Sequence, residues 1–327
     1  MRAEALSGRL VLITGGAGFI GLNLVGALLD RGANVRVLTR SKDPLALSWL
    51  SRVAAGRSIE VVEGDIRDAS PSVRWLDEVE VVVNLAGESG ALKSFHEAQA
   101  DAQVNVTGHL RLLDAIRRLR APPRVVFLSS RLVYGATGRA AAREDHPTAP
   151  TSVYGLHKLT VEHYYRLYWQ HYGIPYCVLR VTNTYGLYQL PNRRTHGVIN
   201  QFILAALSGH SLSVYGDGSQ LRDYVHVADV ATAIILAATH EQAVGGIFNI
   251  GAGVSVGLDE VANRIVRLAG KGRVARIVWP DELLKVETGD FRCDISRARE
   301  RLSWRPEVGL DEGLLTTISG YRALLEC

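Results

Sequence analysis

Leu10-Val-Leu-Ile-Thr14-Gly15-Gly16-Ala17-Gly18-Phe19-Ile20-Gly21 is the stretch whose reading decides the fold. Leu10–Thr14 is a short apolar run that ends on glycine, the pattern of a buried parallel strand. Phe19–Arg31 carries apolar residues at helical spacing, at Ile20, Leu24, Ala27 and Leu28, and Gly32 ends it. Between the two, Gly15, Gly18 and Gly21 form G-x-x-G-x-x-G. One glycine lets the chain turn sharply off the strand. One lets the backbone approach a pyrophosphate. One lets the helix pack close to the strand. The helix N-terminus then offers free N–H groups and a partial positive charge to phosphates. Strand, turn and helix in this order predict a dinucleotide site.

Working outward, Val35–Leu38, Ile59–Glu63, Val79–Leu85, Arg124–Ser130 and Tyr176–Val181 read as strands, and Ala98–Leu119 and Tyr154–Tyr172 as long helices. Strands alternating with helices imply βαβ units, a parallel sheet and right-handed crossovers that put helices on both faces. The predicted class is α/β, a Rossmann-type doubly wound parallel sheet. Past residue 181 the pattern changes. Asn183–Asn200 has no clear period. Ile199–Leu207, Val227–Ala238, Leu258–Ala269 and Asp311–Leu325 read as helices, and Leu212–Tyr215, Asp223–His226 and Gly246–Ile250 as strands. The expected division is a dinucleotide domain of residues 1–181 plus about 224–250, and a smaller mixed α/β substrate domain of 182–223 and 251–327.

A net charge of +4 is spread along the chain and not gathered into runs, which suits anionic small ligands and not nucleic acid. Cys177, Cys293 and Cys327 have no metal spacing, and an odd count argues against a disulfide framework. Free thiols, no secretory pattern and no apolar run of membrane length point to a cytoplasmic protein without metal or membrane partners.

Tyr154-Gly-Leu-His-Lys158 is Y-x-x-x-K at the start of a predicted helix, so tyrosine and lysine share a face. An ammonium beside the phenol, with the positive ring of an oxidised nicotinamide, would lower the phenol pKa and let it take a proton from a sugar hydroxyl. Ser130 closes the fifth strand, where strand ends line a ligand crevice, and can hydrogen-bond the same oxygen. At the end of the second strand Thr39 and Arg40 stand where a carboxylate would hold ribose hydroxyls. An arginine there pairs with a 2′-phosphate, which tilts the cofactor toward NADP(H) over NAD(H).

Together these segments resemble the extended short-chain dehydrogenase/reductase family, in its nucleotide-sugar branch, over nearly the whole chain. The resemblance implies cofactor contacts at Gly15, Gly18, Phe19, Ile20 and Gly21, at Asp65 and Ile66 near the adenine, at Leu85, Ala86 and Gly87 after the fourth strand, and at Asn105. Ser129-Ser-Arg-Leu-Val-Tyr-Gly135 is similar to the family's serine segment, which gives Ser130, Tyr154 and Lys158 catalytic roles. Asn183, Asn200, Arg222 and Asp290 are implied substrate contacts, with Arg222, inside Val214–Asp229, meeting phosphate. The implied partners are a UDP- or dTDP-sugar and a second copy of the chain. That homodimer would pair Ala98–Leu119 with Tyr154–Tyr172, using Tyr165, Leu167, Tyr168, Trp169 and Tyr172 as an apolar face.

Two departures narrow the function. Family dehydratases carry Asp-Glu directly after the catalytic serine or threonine, and here those places hold Arg131 and Leu132, neither of which serves as acid or base for water elimination. Many family epimerases read R-x-G-D near the C-terminus, with the arginine on diphosphate, and here the stretch is Glu287-Thr-Gly-Asp290. Arg193, Arg194 and Arg222 are candidates for the missing charge. The leading expectation is an NAD(P)-dependent nucleotide-sugar 4-epimerase working through a transient 4-keto sugar. The alternatives are an NADPH-dependent 4-ketoreductase for NDP-4-keto-6-deoxyhexoses and a dinucleotide sensor without catalysis. His157, before the lysine, is expected at a surface or interface and is given no chemistry.

Overall fold

Seven parallel strands lie side by side in the order Gly246–Ile250, Tyr176–Val181, Arg124–Ser130, Val81–Asn84, Leu10–Thr14, Asn34–Thr39 and Glu60–Glu63. The structure, a computed structural model, describes residues 5–40, 42–70, 74–138, 140–189 and 197–325. The predicted doubly wound sheet is thus present. The interior strands Val81–Asn84 and Tyr176–Val181 are buried at every position, as strands covered by helices on both faces must be. Alternation divides the sheet's apolar residues between two cores. Val11 and Ile13 face the helices Phe19–Leu29, Pro44–Ala54 and Val227–Thr239, while Leu12, Val82 and Phe127 face Leu112, Leu113, Ile116 and Tyr165.

The chain reverses direction across the sheet between Leu10–Thr14 and Val81–Asn84: strands two and three lie to one side, the later strands to the other. Ligands bind beyond the C-terminal ends of strands at such a switch point.

The C-terminal region builds a third apolar cluster. Helices Val198–Leu207, Leu258–Ala269 and Leu310–Leu325 pack around Ile203, Leu212, Val214, Val261, Ile265, Leu314 and Ile318. The parallel pair Ser211–Tyr215 and Arg273–Ile277 belongs to it. A separate three-stranded sheet, Ser255–Gly257, Leu221–His226 and Asn183–Tyr185, joins this region to the cleft.

Several elements differ from expectation. The predicted helix Ala98–Leu119 is Ala98–Ala102, a π-helical turn over Gln103–Gly108, and His109–Ile116. The inserted turn lets Asn105 hold a neighbouring loop, described below, and brings Gly108 against Ile66. The helix Pro44–Ala54 was not foreseen, although Asp43 caps it through Leu45 N and proline occupies its first turn. Among the described residues no helix is long and apolar enough to cross a membrane, and no cluster of three His, Cys, Asp or Glu could hold a metal.

Candidate active site

The floor of the site is a buried polar chain at the switch point. Thr14 donates from Oγ1 to Asn84 Oδ1 at 2.6 Å, and Asn84 Nδ2 reaches Tyr165 Oη at 2.8 Å and His109 Nδ1 at 3.0 Å. Burial pulls the His109 imidazole down to about 3, so it stays neutral here. Thr14 Oγ1 also accepts from Ala86 N at 3.1 Å. The network ties the first and fourth strand ends together and fixes the two turns that leave them.

Those turns shape a cleft fitted to a dinucleotide. Gly15 has φ +71°, and a Cβ on it would lie 3.1 Å from Ala86 N, so any side chain would close the gap between the turns. A Cβ on Gly21 would meet Gly16 at 2.6 Å, which holds helix and turn in contact. The helix Phe19–Leu29 has Gly18 at its N-cap, no side-chain cap and no acidic residue in its first turn, leaving its N–H groups for an anion. A cleft of about 490 Å³ holds Gly15, Gly18, Phe19, Ile20, Gly21, Leu85 and Gly87 together with Ser130, Tyr154, Lys158 and Asn183. An adjoining cleft of about 400 Å³ holds Thr39, Arg40, Asp65, Ile66 and Ala86, and shares Gly15, Gly18, Leu85 and Gly87 with the first. These residues fit a nicotinamide dinucleotide, the adenosine end in the second cleft and the nicotinamide end in the first.

Arg40 does not stand alone at the adenosine end. Its Nε lies 3.4 Å from Asp65 Oδ2 and its Nη2 3.0 Å from Glu88 Oε1. Burial works to raise the Asp65 carboxyl, but the Arg67 hydrogen bonds and the Arg40 and Arg67 charges outweigh it and hold the group below its ordinary range. Two carboxylates therefore already occupy the cation.

Tyr154 and Lys158 follow from a well-formed helix start. Ser152 caps Val153–Tyr172 by accepting from Gly155 N at 3.1 Å, and Ser94 Oγ accepts from Tyr154 N at 3.0 Å. Burial and then the charge of Asp101 push the Tyr154 phenol up, while a hydrogen bond with the Ser130 hydroxyl pulls it down. Serine and tyrosine line the same cleft. Lys158 Nζ donates to Leu128 O at 2.9 Å and lies 5.8 Å from the centre of the Tyr154 ring. Burial lowers its ammonium to about 8, with Asp101 and Glu162 opposing the shift.

A buried ion pair holds this helix on the sheet. Arg180 Nη2 lies 2.6 Å from Glu162 Oε2, and Ser129 Oγ donates to Glu162 Oε1 at 2.5 Å. Ser129 precedes Ser130, and Glu162 lies one turn past Lys158, so one carboxylate registers helix against strand at the catalytic end. Removing one partner of such a pair costs about 3–5 kcal/mol.

Several residues implied as ligand contacts are engaged within the chain. Asn105 lines neither cleft: it is buried, accepts from Glu88 N at 3.1 Å and donates to Glu88 O at 3.0 Å, clamping the loop that does line it. Asn200 is also a clamp, its amide closed on the backbone of Gly186 and on Tyr321 Oη. Asp290 turns away and accepts from Leu221 N at 2.8 Å. Arg222 does not face the open cleft: Nη1 donates to Gly289 O at 2.7 Å, and Nη2 pairs with Glu287. Arg193 and Arg194 lie outside the described residues. Tyr165 belongs to the core and not to an outer helix face.

Two residues gain places that the sequence reading did not give them. His157 Nδ1 lies 2.6 Å from Asp101 Oδ1, and both side chains are largely covered. Arg131 is buried against Phe291 and bonds Thr288.

With this geometry in place, the comparisons are specific. The family described as the NAD dependent epimerase/dehydratase family matches residues 11–251. The chain is 35% identical to a UDP-glucose 4-epimerase of Mycolicibacterium smegmatis over 318 residues, covering 95% of this chain and 98% of that one. It is 32% identical to a dTDP-glucose 4,6-dehydratase of Xanthomonas campestris over 330 residues, covering 95% and 92%. The crystal structure of a Thermus thermophilus UDP-glucose 4-epimerase in complex with NAD superposes with a TM-score of 0.83 at 31% identity, covering 96% of this chain and 99% of that one.

Proposed function

The chain belongs to the NAD dependent epimerase/dehydratase family, and from that premise we propose that it is a nucleotide-sugar 4-epimerase acting through a transient 4-keto sugar. The observation that carries the reading is that Ser130, Tyr154 and Lys158 line one cleft together with the glycine turn. A bound nicotinamide supplies the acceptor and later the donor of the C4 hydride. Tyr154 takes the proton of the C4 hydroxyl and returns it to the same oxygen once the ketone has turned over to be reduced at its other face. Ser130 holds that oxygen in line. The Lys158 ammonium, 5.8 Å from the centre of the Tyr154 ring, is the cation placed to favour the phenolate.

Dehydration at C5–C6 is disfavoured by the residues themselves, although dehydratases are among the relatives. Leu132 lines the cleft without an acid or base, and Arg131 is turned toward Thr288. We assign NAD(H), revising the tilt toward NADP(H). A 2′-phosphate at Arg40 would have to displace Asp65 and Glu88 or sit beside them. The relative solved with NAD supports the same assignment. An NADPH-consuming ketoreductase stays the second reading: Arg40 and Glu287 favoured it, and Arg40 is engaged by two carboxylates. We also propose a homodimer and a UDP- or dTDP-sugar as substrate.

A panel of UDP-, dTDP-, GDP- and CDP-sugars, with and without NADPH and followed by NMR and mass spectrometry, tests this. The expected outcome is C4 inversion of one nucleotide sugar without net NADPH loss. Stoichiometric NADPH oxidation with a 4-keto sugar, and no inversion, would replace the epimerase with the reductase.

A further inference from the structure

Arg131 is a buried guanidinium with little to hold. It offers five N–H donors. Among the described residues it makes one hydrogen bond, from Nη1 to Thr288 Oγ1 at 3.2 Å, and lies 4.9 Å from the centre of the Phe291 ring. It is only 9% exposed. Burial, and then the positive charge of Arg222, pulls it down to about 10, so two cations share one covered place. Two carboxylates bear on the pair: Asp223, fully buried with its oxygens taken by Thr182 Oγ1, Ala252 N and Gly253 N, and the more exposed Glu287. Glu287 pairs with Arg222 Nη2 and accepts from Gly289 N at 2.9 Å. Next to them the Tyr224 hydroxyl is buried and has no hydrogen-bond partner. Buried polar groups left this way cost stability unless a ligand completes them.

The cluster borders the cleft. Ser130 and Leu132, on either side of Arg131, line it, and so does Tyr224. Arg222 and Tyr224 are two apart on the strand Leu221–His226, so they share a face. Glu287 is the partly exposed member of the cluster, its side chain 24% exposed, with water to swing into.

We propose that Arg131 and Arg222 form one two-guanidinium anion site, that Glu287 fills it as an internal anion, and that the diphosphate of the nucleotide sugar binds by displacing Glu287. The charges support the exchange. Asp223 is fixed by Thr182 and two backbone amides, so the exchange replaces the one charge of Glu287 by the two of a sugar-linked diphosphate, which also brings the acceptor oxygens that Arg131 and Tyr224 lack. The inference rests on the nucleotide-sugar reading and adds Arg131 and Glu287 to it.

Calorimetric titration of the holoenzyme with UDP and with dTDP tests it, scored on whichever binds wild type more tightly. Glu287→Gln should bind at least about tenfold tighter, because the internal competitor is neutralised, and Arg131→Met at least about tenfold weaker. Unchanged NAD(H) binding in both variants checks that the fold is intact. Glu287→Gln binding equally or more weakly would overturn the proposal, since a carboxylate that accepts from ribose hydroxyls gives that result. Arg131→Met within twofold of wild type would overturn it as well. Should wild type bind neither nucleotide, the nucleotide-sugar reading fails on its own, and inorganic pyrophosphate scored on the same two variants decides the anion site.

Discussion

Lys158 shows how much a single residue's surroundings decide. Its ammonium sits beside the Phe127 ring, 4.8 Å from the ring centre, and on one carbonyl oxygen, with burial lowering it to about 8. The cation is present below that value and is lost as pH rises through it. The pH profile of kcat/KM, which reports the free enzyme, should therefore fall on the basic side with an apparent pKa near 8. Lys158→Met should remove that limb and lower kcat/KM at pH 7 by ~10²-fold. A basic limb that survives the substitution would assign the titration to another group. The residue identities behind this were legible in the sequence, because Y-x-x-x-K and the strand-ending serine are local patterns. The charges that tune them were not: Asp101 lies 57 positions from Lys158, and the pairing of Asp101 with His157 follows from helix packing alone.

At the scale of elements, the strands were legible because a buried parallel strand is a short apolar run, and Arg124–Ser130, Tyr176–Val181 and Gly246–Ile250 have the expected ends. The helix Pro44–Ala54 carried a readable start in Asp43-Pro44 that went unread. The π-helical turn at Gln103–Gly108 had no local signal, because its cause is the distant loop that Asn105 clamps. The expected aromatic face on Val153–Tyr172 was partly misread. Tyr165 turns inward to Asn84, while Leu156 and Leu167, three turns apart on one stripe, are 52% and 42% exposed. Trp169 and Tyr172 add to the apolar surface, at 40% and 49%. A second copy of the chain covering this face would make the proposed dimer. Light scattering at micromolar concentration should give twice the 35.7 kDa chain mass. Leu156→Glu with Leu167→Glu should return it to the single-chain mass without loss of NAD(H) binding. A wild-type monomer would exclude the dimer.

Across the whole molecule, the strand order places the glycine turn, the Gly87 loop, Ser130 and the Tyr154 helix at one end of one sheet. That convergence was legible, since right-handed crossovers and a switch point follow from alternation. What the C-terminal region brings to the cleft was less so. Arg131 and Thr288 are 157 positions apart and meet only because the Leu221–His226 sheet carries the chain back over the fifth strand's end. Asn200 and Asp290 were implied as ligand contacts by the family resemblance, and in the structure both satisfy backbone groups that folding would otherwise leave unpaired. The central claim is that the Tyr154 phenol moves the proton while the rest of the cleft binds. Tyr154→Phe, assayed on the nucleotide sugar that wild type inverts, tests it most directly. The account predicts unchanged NAD(H) affinity and turnover lower by at least ~10²-fold; turnover within a few-fold of wild type would contradict it.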